Sequence, residues 1–247
     1  VLRDLLSGTA GCSPYLWGLM TREAEWLRAT LAGSPEAALD QTLAAIDGDL
    51  SVALRVAKRR VALIAALADL GGIWSLEDVT GALTRMADRA THLALSSEVA
   101  RLIDRGKLPG LADVDVETAG GLTALAMGKQ GAFELNYSSD IDLIVLFDDD
   151  RFARDDIPDA QAGFVRATRA ACKLLSEQTA EGYVFRTDLR LRPDPSVTPV
   201  AMAMSRAERY YESLGRTWER AAHIKARPCA GDLVAGQGYL DRLRPFV

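Results

Sequence analysis

Residues 128–144 read GKQGAFELNYSSDIDLI, and this stretch decides the fold class that the sequence predicts. The β-branched, apolar run Ile141–Phe147 begins within it and is typical of a strand buried in a sheet. Successive side chains of a strand point to opposite faces, so Asp140 and Asp142 share one face while their neighbours point into the core. The stretch therefore predicts a sheet whose buried strand starts with two adjacent carboxylates.

These two carboxylates would repel each other unless a cation lay between them. Mg²⁺ prefers one or two carboxylates together with the phosphate oxygens of a substrate. Upstream, Gly128 and Gly131 frame a loop whose backbone N–H groups, with Lys129, suit a polyphosphate, and Ser138 and Ser139 add hydroxyl groups. The pattern predicts a nucleotide site. The alternative for an isolated acid pair is a solvated face at the start of a strand, and the glycine loop and the apolar strand argue against it.

A second strand with one polar face is predicted over residues 183–191, where polar and apolar side chains alternate. Its polar face carries a third candidate ligand and three basic side chains, namely Asp188, Arg186, Arg190 and Arg192. Arginine is suited to balancing the charge of a triphosphate. The alternative for these arginines is salt bridging to the acidic residues 148–150.

The sequence before this region predicts helices, because it is rich in Ala and Leu, which have high helix propensity. Ser13-Pro14 and Ser34-Pro35 each read as a helix start with Pro in the first turn. The spacing predicts a long helix over residues 50–70 that ends at two glycines, and Ser75 with Asp78 forms a capping box that opens a helix to about Arg105.

The remaining elements complete an α+β prediction. Residues 106–121 read as a linker or hairpin, residues 122–127 as a strand, and residues 159–181, 205–225 and those beyond 232 as helices. We therefore expect a core with a small mixed sheet, flanked by helical segments. The expected division is a helical region at 1–118, a catalytic core at 119–200 and a helical C-terminal segment at 201–247.

Composition excludes several classes of protein. The 247 residues carry 34 acidic and 29 basic side chains, a net charge of -5, which argues against a protein that mainly binds nucleic acid. No apolar run approaches the ~18 residues that a membrane span needs. Three scattered cysteines give no disulfide framework and favour a reducing, cytoplasmic location. We expect the three cysteine side chains to be buried in the fold. The start at Val1 suggests a piece of a longer protein.

The glycine loop, the SSDxDL motif and a later strand aspartate together resemble the DNA polymerase β-like nucleotidyltransferase superfamily. More narrowly, residues 128–144, YVFRTDLRLRP at 183–193 and WERAAHIKAR at 218–227 closely resemble the glutamine synthetase (glutamate-ammonia ligase) adenylyltransferase family. Members of that family add AMP to glutamine synthetase and remove it. The resemblance covers about residues 54–232. It departs at Gln130 and Ala132, where family loops usually have Leu and Gly.

The resemblance implies a reaction and a set of roles. The amino-acid sequence of the motifs is most similar to the N-terminal of the two nucleotidyltransferase domains that members of the family carry. That domain uses phosphate to cleave the AMP–tyrosine bond on glutamine synthetase and releases ADP. It implies two Mg²⁺ ions, with Mn²⁺ as the alternative, bound by Asp140, Asp142 and Asp188 as catalytic ligands. The side chains and backbone implied to bind nucleotide or phosphate are those of Gly128, Lys129, Gly131, Ser138, Ser139, Arg190, Arg192 and Lys225, and for Lys225 the alternative is a solvated position.

The resemblance also implies partners and leaves two alternatives open. The implied partners are adenylylated glutamine synthetase, phosphate, ADP or ATP, and a PII signalling protein acting through the full-length enzyme. The first alternative is the adenylylating copy, which transfers AMP from ATP to glutamine synthetase. The second is a catalytically silent module that binds a nucleotide and regulates, although three intact acids argue against it. Outside the motifs, we expect Trp218 to lie in the core.

Overall fold

The computed structural model describes residues 1–247 and divides into two compact units. Unit 1 comprises Val1–Met86, Phe133–Ser138 and Gln178–Val184, and unit 2 comprises Ala87–Ala132, Ser139–Glu177 and Phe185–Val247. Eleven α-helices and one five-stranded sheet make the chain α+β, as predicted. These two units do not coincide with the predicted division of the chain after residues 118 and 200. That division stays a prediction. No helix is long and apolar enough to cross a membrane.

Unit 1 is helical. Its complete helices are α1 (Leu2–Cys12), α2 (Pro14–Arg22), α3 (Ala24–Thr30), α4 (Pro35–Ala44) and α5 (Leu50–Leu70), and α6 (Leu76–Asp104) begins in this unit. The predicted starts are confirmed, because the hydroxyl oxygens of Ser13 and Ser34 accept hydrogen bonds from the backbone of Leu16 and Ala37, both at 3.2 Å. The predicted capping box is also present, with the Ser75 N–H donating to Asp78 at 2.9 Å.

A buried carboxylate separates the two helices that follow Ser13. Glu23 separates α2 from α3 with non-helical backbone angles, and its side chain is only 6% exposed. It accepts from Arg59 at 2.9 Å and from Arg60 at 2.8 Å, both on α5. The two short helices then pack their leucines against the apolar side of α5 around Leu63. A buried acid with two guanidinium partners therefore joins the N-terminal helices to α5.

Unit 2 contains the sheet. Its elements are β1 (Leu122–Ala126), α7 (Gly128–Gly131), β2 (Ile141–Phe147), α8 (Ile157–Ser176), β3 (Thr187–Asp188), β4 (Ala201–Ala203), α9 (Met204–Ser213), α10 (Thr217–Ala222), β5 (Arg227–Gly231) and α11 (Leu233–Leu243). Strand β2 runs antiparallel to β1, which in turn runs antiparallel to β5. Strands β3 and β4 run parallel to β2, one beside its start and the other beside its end. The predicted small mixed sheet is confirmed.

Both faces of β2 are covered. Phe147 packs against Phe164 of α8, with ring centroids 5.1 Å apart. The other face carries Ile144 and Leu146, which belong to a buried cluster with Tyr211 of α9 and Tyr239 of α11. A strand covered on both faces reads as an unbroken apolar run, which explains why β2 could be identified from the sequence.

Several expectations about unit 2 are wrong. The strand predicted over residues 183–191 is reduced to β3, because residues 189–198 form a loop in which the Arg192 guanidinium donates to the carbonyl oxygens of Leu189, Pro195 and Thr198. The helix predicted over residues 205–225 is split at Gly215, whose backbone packs closely against Tyr211. Strands β4 and β5 were not predicted.

Trp218 and two of the three cysteines are less buried than expected. Trp218, predicted in the core, is 50% exposed, because it lies on a helix of six residues of which only Glu219 is buried. Cys12 is exposed, Cys172 is half-buried and only Cys229 is buried.

Candidate active site

The two predicted acid-bearing strands are neighbours. Asp142 of β2 lies opposite Asp188 of β3 in the parallel register, and the Ile141 N–H donates to the Arg186 carbonyl oxygen at 2.9 Å. Asp140 precedes β2 and is separated from Asp142 by one residue. The sheet thus brings together three acids that are up to 48 positions apart in the chain.

Two arginines bind the outer acids of this group. The Nε of Arg186 donates to Asp140 at 2.5 Å, and Arg190 donates to Asp188 through Nε at 2.8 Å and Nη2 at 2.5 Å. These two arginines therefore pair with the site acids, and the alternative of pairing with residues 148–150 is not observed for them. Arg192 instead uses its guanidinium on backbone carbonyls of the following loop.

The local charge balance differs between Asp142 and Asp188, the two acids that lie opposite each other. Hydrogen bonds from Arg190 hold the pKa of Asp188 below its usual value. The pKa of Asp142 is raised, first by burial and then by the negative charges of Asp188 and Asp140. Asp142 makes no side-chain hydrogen bond or salt bridge in the structure, so it carries the uncompensated part of the site's negative charge.

The donor chemistry of the three acids fits Mg²⁺, which binds carboxylate oxygens. A cation beside Asp142 would relieve the repulsion that raises the pKa of this acid. The side chains are not gathered into a ready-made cage, since no group of three Asp, Glu, His or Cys side chains converges anywhere in the chain. Arg186 binds an oxygen of Asp140 and Arg190 binds both oxygens of Asp188, so an ion would compete with these arginines for the two acids.

The predicted glycine loop is one helical turn, α7. Gly128 opens it with a φ of 54°, a left-handed conformation that favours glycine, and a Cβ at this position would lie 3.4 Å from the Asp142 carboxylate. The Met127 N–H donates to the Asp142 carbonyl oxygen at 2.9 Å, which fixes the turn beside β2. Lys129 projects from the turn and is exposed.

Gly131 has a packing role that the sequence did not reveal. A Cβ at this buried glycine would lie 2.0 Å from the carbonyl oxygen of Lys225, so the turn and the segment after α10 are in backbone contact. The Lys225 side chain is exposed. The structure therefore brings Lys129 and Lys225 onto two segments that touch, and Gly131 itself is buried. Ser138 belongs to unit 1 and Ser139 to unit 2.

A half-buried ionic cluster beside the turn was missed by sequence reasoning. Asp88 of α6 accepts from Gln130 at 2.9 Å and from Arg227 at 2.7 Å, and Arg227 also donates to the Gln130 carbonyl oxygen at 3.1 Å. The only sequence signal was the departure from Leu at position 130. We call Asp88, Gln130 and Arg227 the turn-anchoring cluster, because it fixes α7 between α6 and β5.

Comparison with known proteins places the chain in a family. Residues 6–241 match the family model described as glutamate-ammonia ligase adenylyltransferase. The chain is 48% identical over 256 aligned positions to a protein of Bradyrhizobium sp. strain BTAi1 named bifunctional glutamine synthetase adenylyltransferase/adenylyl-removing enzyme. Proteins with the same name are 46% identical in Caulobacter vibrioides and 45% identical in Rhodopseudomonas palustris strain CGA009.

The alignments cover nearly all of this chain but a small part of each relative. They include 99%, 98% and 100% of the chain and 26%, 25% and 26% of the three relatives, respectively. The chain therefore spans about a quarter of the length of the curated relatives it matches.

Proposed function

Because the chain belongs to the glutamate-ammonia ligase adenylyltransferase family, we propose that it is a nucleotidyltransferase that acts on glutamine synthetase and removes AMP from it. In this reaction an oxygen of inorganic phosphate forms a bond to the phosphorus of the AMP group. The bond from that phosphorus to the tyrosine oxygen breaks, the phenolate takes up a proton, and ADP is released.

One observation carries this proposal, namely the opposition of Asp142 and Asp188 on neighbouring strands with Asp140 beside them. Three acids that face two arginines form a site for anionic phosphates only if cations bind with them. Bound Mg²⁺ ions, held by these acids or replaced by Mn²⁺, would neutralise phosphoryl charge and activate the entering oxygen. The raised pKa of Asp142 agrees with a position that lacks a counter-charge of its own.

The chain's own residues would bind and orient the reactants. Lys129 and Lys225 are exposed cations on touching segments and suit the phosphates of the nucleotide. Arg190 is exposed beyond Asp188 and suits the attacking phosphate. Ser139, which precedes Asp140, adds a hydroxyl donor to the proposed nucleotide site, whereas Ser138 belongs to unit 1. Arg192 is a weaker candidate, because its guanidinium already binds carbonyl oxygens.

The attacking phosphate is already an anion, so the reaction needs no separate general base. This agrees with the positions of the two histidines. His92 accepts a hydrogen bond from the Gly231 N–H at 3.2 Å, and His223 is buried with Nδ1 2.9 Å from the Glu219 carbonyl oxygen. Neither ring contacts the acids of the site.

The decisive experiment incubates the chain with adenylylated glutamine synthetase, Mg²⁺ and phosphate. We expect ADP to form and unmodified glutamine synthetase to appear in equal amounts. If the chain instead transfers AMP from ATP to unmodified glutamine synthetase and forms no ADP, it is the adenylylating copy. If neither reaction occurs while ADP still binds, the chain is the silent regulatory module.

A matched pair of variants tests the metal site. We expect Asp142→Asn to abolish ADP formation and to weaken Mn²⁺ binding, measured by electron paramagnetic resonance, at least tenfold. Asp155→Asn, in an exposed turn of the same unit, is the control and should change neither quantity. Unchanged Mn²⁺ binding in Asp142→Asn would contradict the proposed ligand set.

Regulation by a PII protein is proposed to require the parts of the longer relatives that this chain does not span. We therefore expect ADP formation by this chain to be insensitive to added PII protein. A full response of the isolated chain would contradict this proposal.

A further inference from the structure

Unit 1 contains a cavity of about 640 Å³ that none of the three site acids lines. Helices α2 and α5 form two of its walls, and the segments 133–138 and 178–184 supply the others through Tyr137, Ser138, Gln178, Glu181, Gly182 and Tyr183. This volume lies within the range of ~300–1,000 Å³ that is typical of ligand sites. The cavity is lined by residues of unit 1 alone.

The walls that carry the two segments are fixed by buried ionic contacts. Arg55, which is 1% exposed, donates to the carbonyl oxygen of Gly182 at 2.6 Å. Arg59 binds the Glu181 carboxylate at 2.7 Å and the buried Glu23 carboxylate at 2.9 Å. These contacts hold the walls of the cavity in place without a ligand, so binding would cost little conformational entropy.

Three tyrosines from three different elements line the cavity, namely Tyr15, Tyr137 and Tyr183. Burial, together with nearby Asp69 and Tyr15, raises the pKa of Tyr137 to about 12, so its hydroxyl stays protonated and can donate a hydrogen bond at neutral pH. The Lys58 ammonium lies 4.2 Å from the centre of the Tyr183 ring. Tyrosine combines a rigid apolar ring with a hydrogen-bonding tip, which suits contact with peptides.

The charges of the lining favour a peptide over a nucleotide. Three basic residues, Arg55, Lys58 and Arg59, are accompanied by the acids Asp69 and Glu181. Both arginines already bind carbonyl oxygens or carboxylates, so little positive charge is left for a polyphosphate. Apolar side chains such as Leu16 and Leu70 complete the lining and match an aliphatic or aromatic side chain.

The two wall segments lead directly into the acid-bearing strands. In the chain only Ser139 separates the cavity-lining Ser138 from Asp140, and Tyr183 precedes Asp188 by five residues. We propose that the cavity binds the peptide that flanks the modified tyrosine of the protein substrate. This inference rests on the proposed function, and it assigns recognition of the substrate's polypeptide to unit 1.

Two exposed cavity residues have matched controls on the same helices. On α2, Tyr15 lines the cavity and is 59% exposed, while Trp17 is 56% exposed and lies outside it. On α5, Leu70 lines the cavity and is 57% exposed, while Val52 is 45% exposed and lies outside it. Since all four side chains are exposed, their replacement by Ala should leave the chain folded.

The experiment measures three quantities for each variant: the Kd for adenylylated glutamine synthetase by surface plasmon resonance, the KM for that protein and the KM for phosphate. We expect Tyr15→Ala and Leu70→Ala to raise both the Kd and the KM for glutamine synthetase at least tenfold. The KM for phosphate should stay within twofold. Trp17→Ala and Val52→Ala should match the wild-type chain in all three.

The outcomes separate this inference from the proposed function. If ADP forms normally and the cavity variants behave like their controls, the inference is wrong while the proposed function stands. If no variant forms ADP but the cavity variants alone lose binding of glutamine synthetase, docking at the cavity is supported and the proposed reaction is wrong. If Tyr15→Ala weakens binding of ADP rather than of glutamine synthetase, the cavity is a nucleotide site and the inference is overturned.

Discussion

Gly131 and Lys225 are in such close backbone contact that a Cβ on the glycine would lie 2.0 Å from the lysine carbonyl oxygen. Neither backbone can yield easily, since a second carbonyl oxygen, that of Ala126, would lie 2.6 Å from the same Cβ. The contact joins the turn α7 to the segment that carries Lys225. It therefore fixes the backbone segments that carry Lys129 and Lys225, the two lysines proposed to bind phosphate.

We expect Gly131→Ala to lower the free energy of unfolding by about 3 kcal/mol, because overpacking against two backbone carbonyls forces a backbone shift. The KM for the nucleotide substrate should rise as well. Gly238→Ala, in α11, is the control, since its Cβ would meet only a side-chain nitrogen of Arg242, at 3.4 Å, and no backbone atom. Chemical denaturation of both variants measures the difference, and equal stability would contradict the contact.

The turn-anchoring cluster predicts an order of stabilities. Asp88→Ala removes the carboxylate that binds Arg227 in a largely buried setting, and should cost about 3 kcal/mol. Gln130→Leu removes one neutral donor and also an amide oxygen that is buried without a partner, so it should cost less than about 1 kcal/mol. Thermal or urea unfolding of both variants checks this order, and a larger cost for Gln130→Leu would refute it.

Arg190 and Arg192 should behave differently when each is replaced by Gln. Arg190 competes with any cation for Asp188, so Arg190→Gln should strengthen Mn²⁺ binding severalfold while raising the KM for phosphate. Arg192→Gln should instead lower the melting temperature and leave the phosphate KM nearly unchanged, because this guanidinium holds the loop 189–198. Identical phosphate effects of the two variants would contradict this division of roles.

The two histidines should make the free energy of unfolding depend on pH. Burial lowers the pKa of His223, so the folded chain holds it neutral while the unfolded chain binds a proton below about pH 6.5. The stability from this group is complete above that pH and is lost as the pH falls, by at most about 1.4 kcal/mol per pH unit for one proton. Burial also lowers the pKa of His92, which acts in the same direction.

Urea denaturation at pH 7 and pH 5.5 tests this expectation. In His223→Gln the loss of stability between these two pH values should be smaller than in the wild-type chain, whatever the overall stability of the variant. His92→Gln is the parallel variant for the half-buried ring. An unchanged slope in His223→Gln would mean that another group is responsible.

Local signals predicted the acid pair and the long helices well. The run Ile141–Phe147 is apolar because β2 is covered on both faces, and α5 has the bounds that its glycine stop indicated. The opposition of Asp142 and Asp188 could be expected only in outline, because it depends on the pairing of two segments far apart in the chain. The roles of these residues in catalysis and in metal binding stay predictions.

The errors have a common physical cause. Alternation over residues 183–191 looked like a strand, yet side chains such as Arg192 can satisfy backbone carbonyls and so allow a loop instead. Trp218 looked like a core residue from its type alone, whereas burial depends on partners that the short helix α10 lacks. The ionic contact of Asp88 with Arg227 joins residues 139 positions apart, and no local pattern indicates such a contact.

Unit 1 consists of three separate stretches of the chain, and this has a consequence for gene-level engineering. A gene fragment that encodes residues 87–247 retains the segments 133–138 and 178–184 but deletes Arg55 and Arg59, which bind the second of them. The sheet of unit 2 therefore cannot be transplanted between relatives as a single uninterrupted cassette. Chimeras that exchange the helices α1–α5 together with both segments should fold and retain recognition, whereas those that exchange only the helices should lose it.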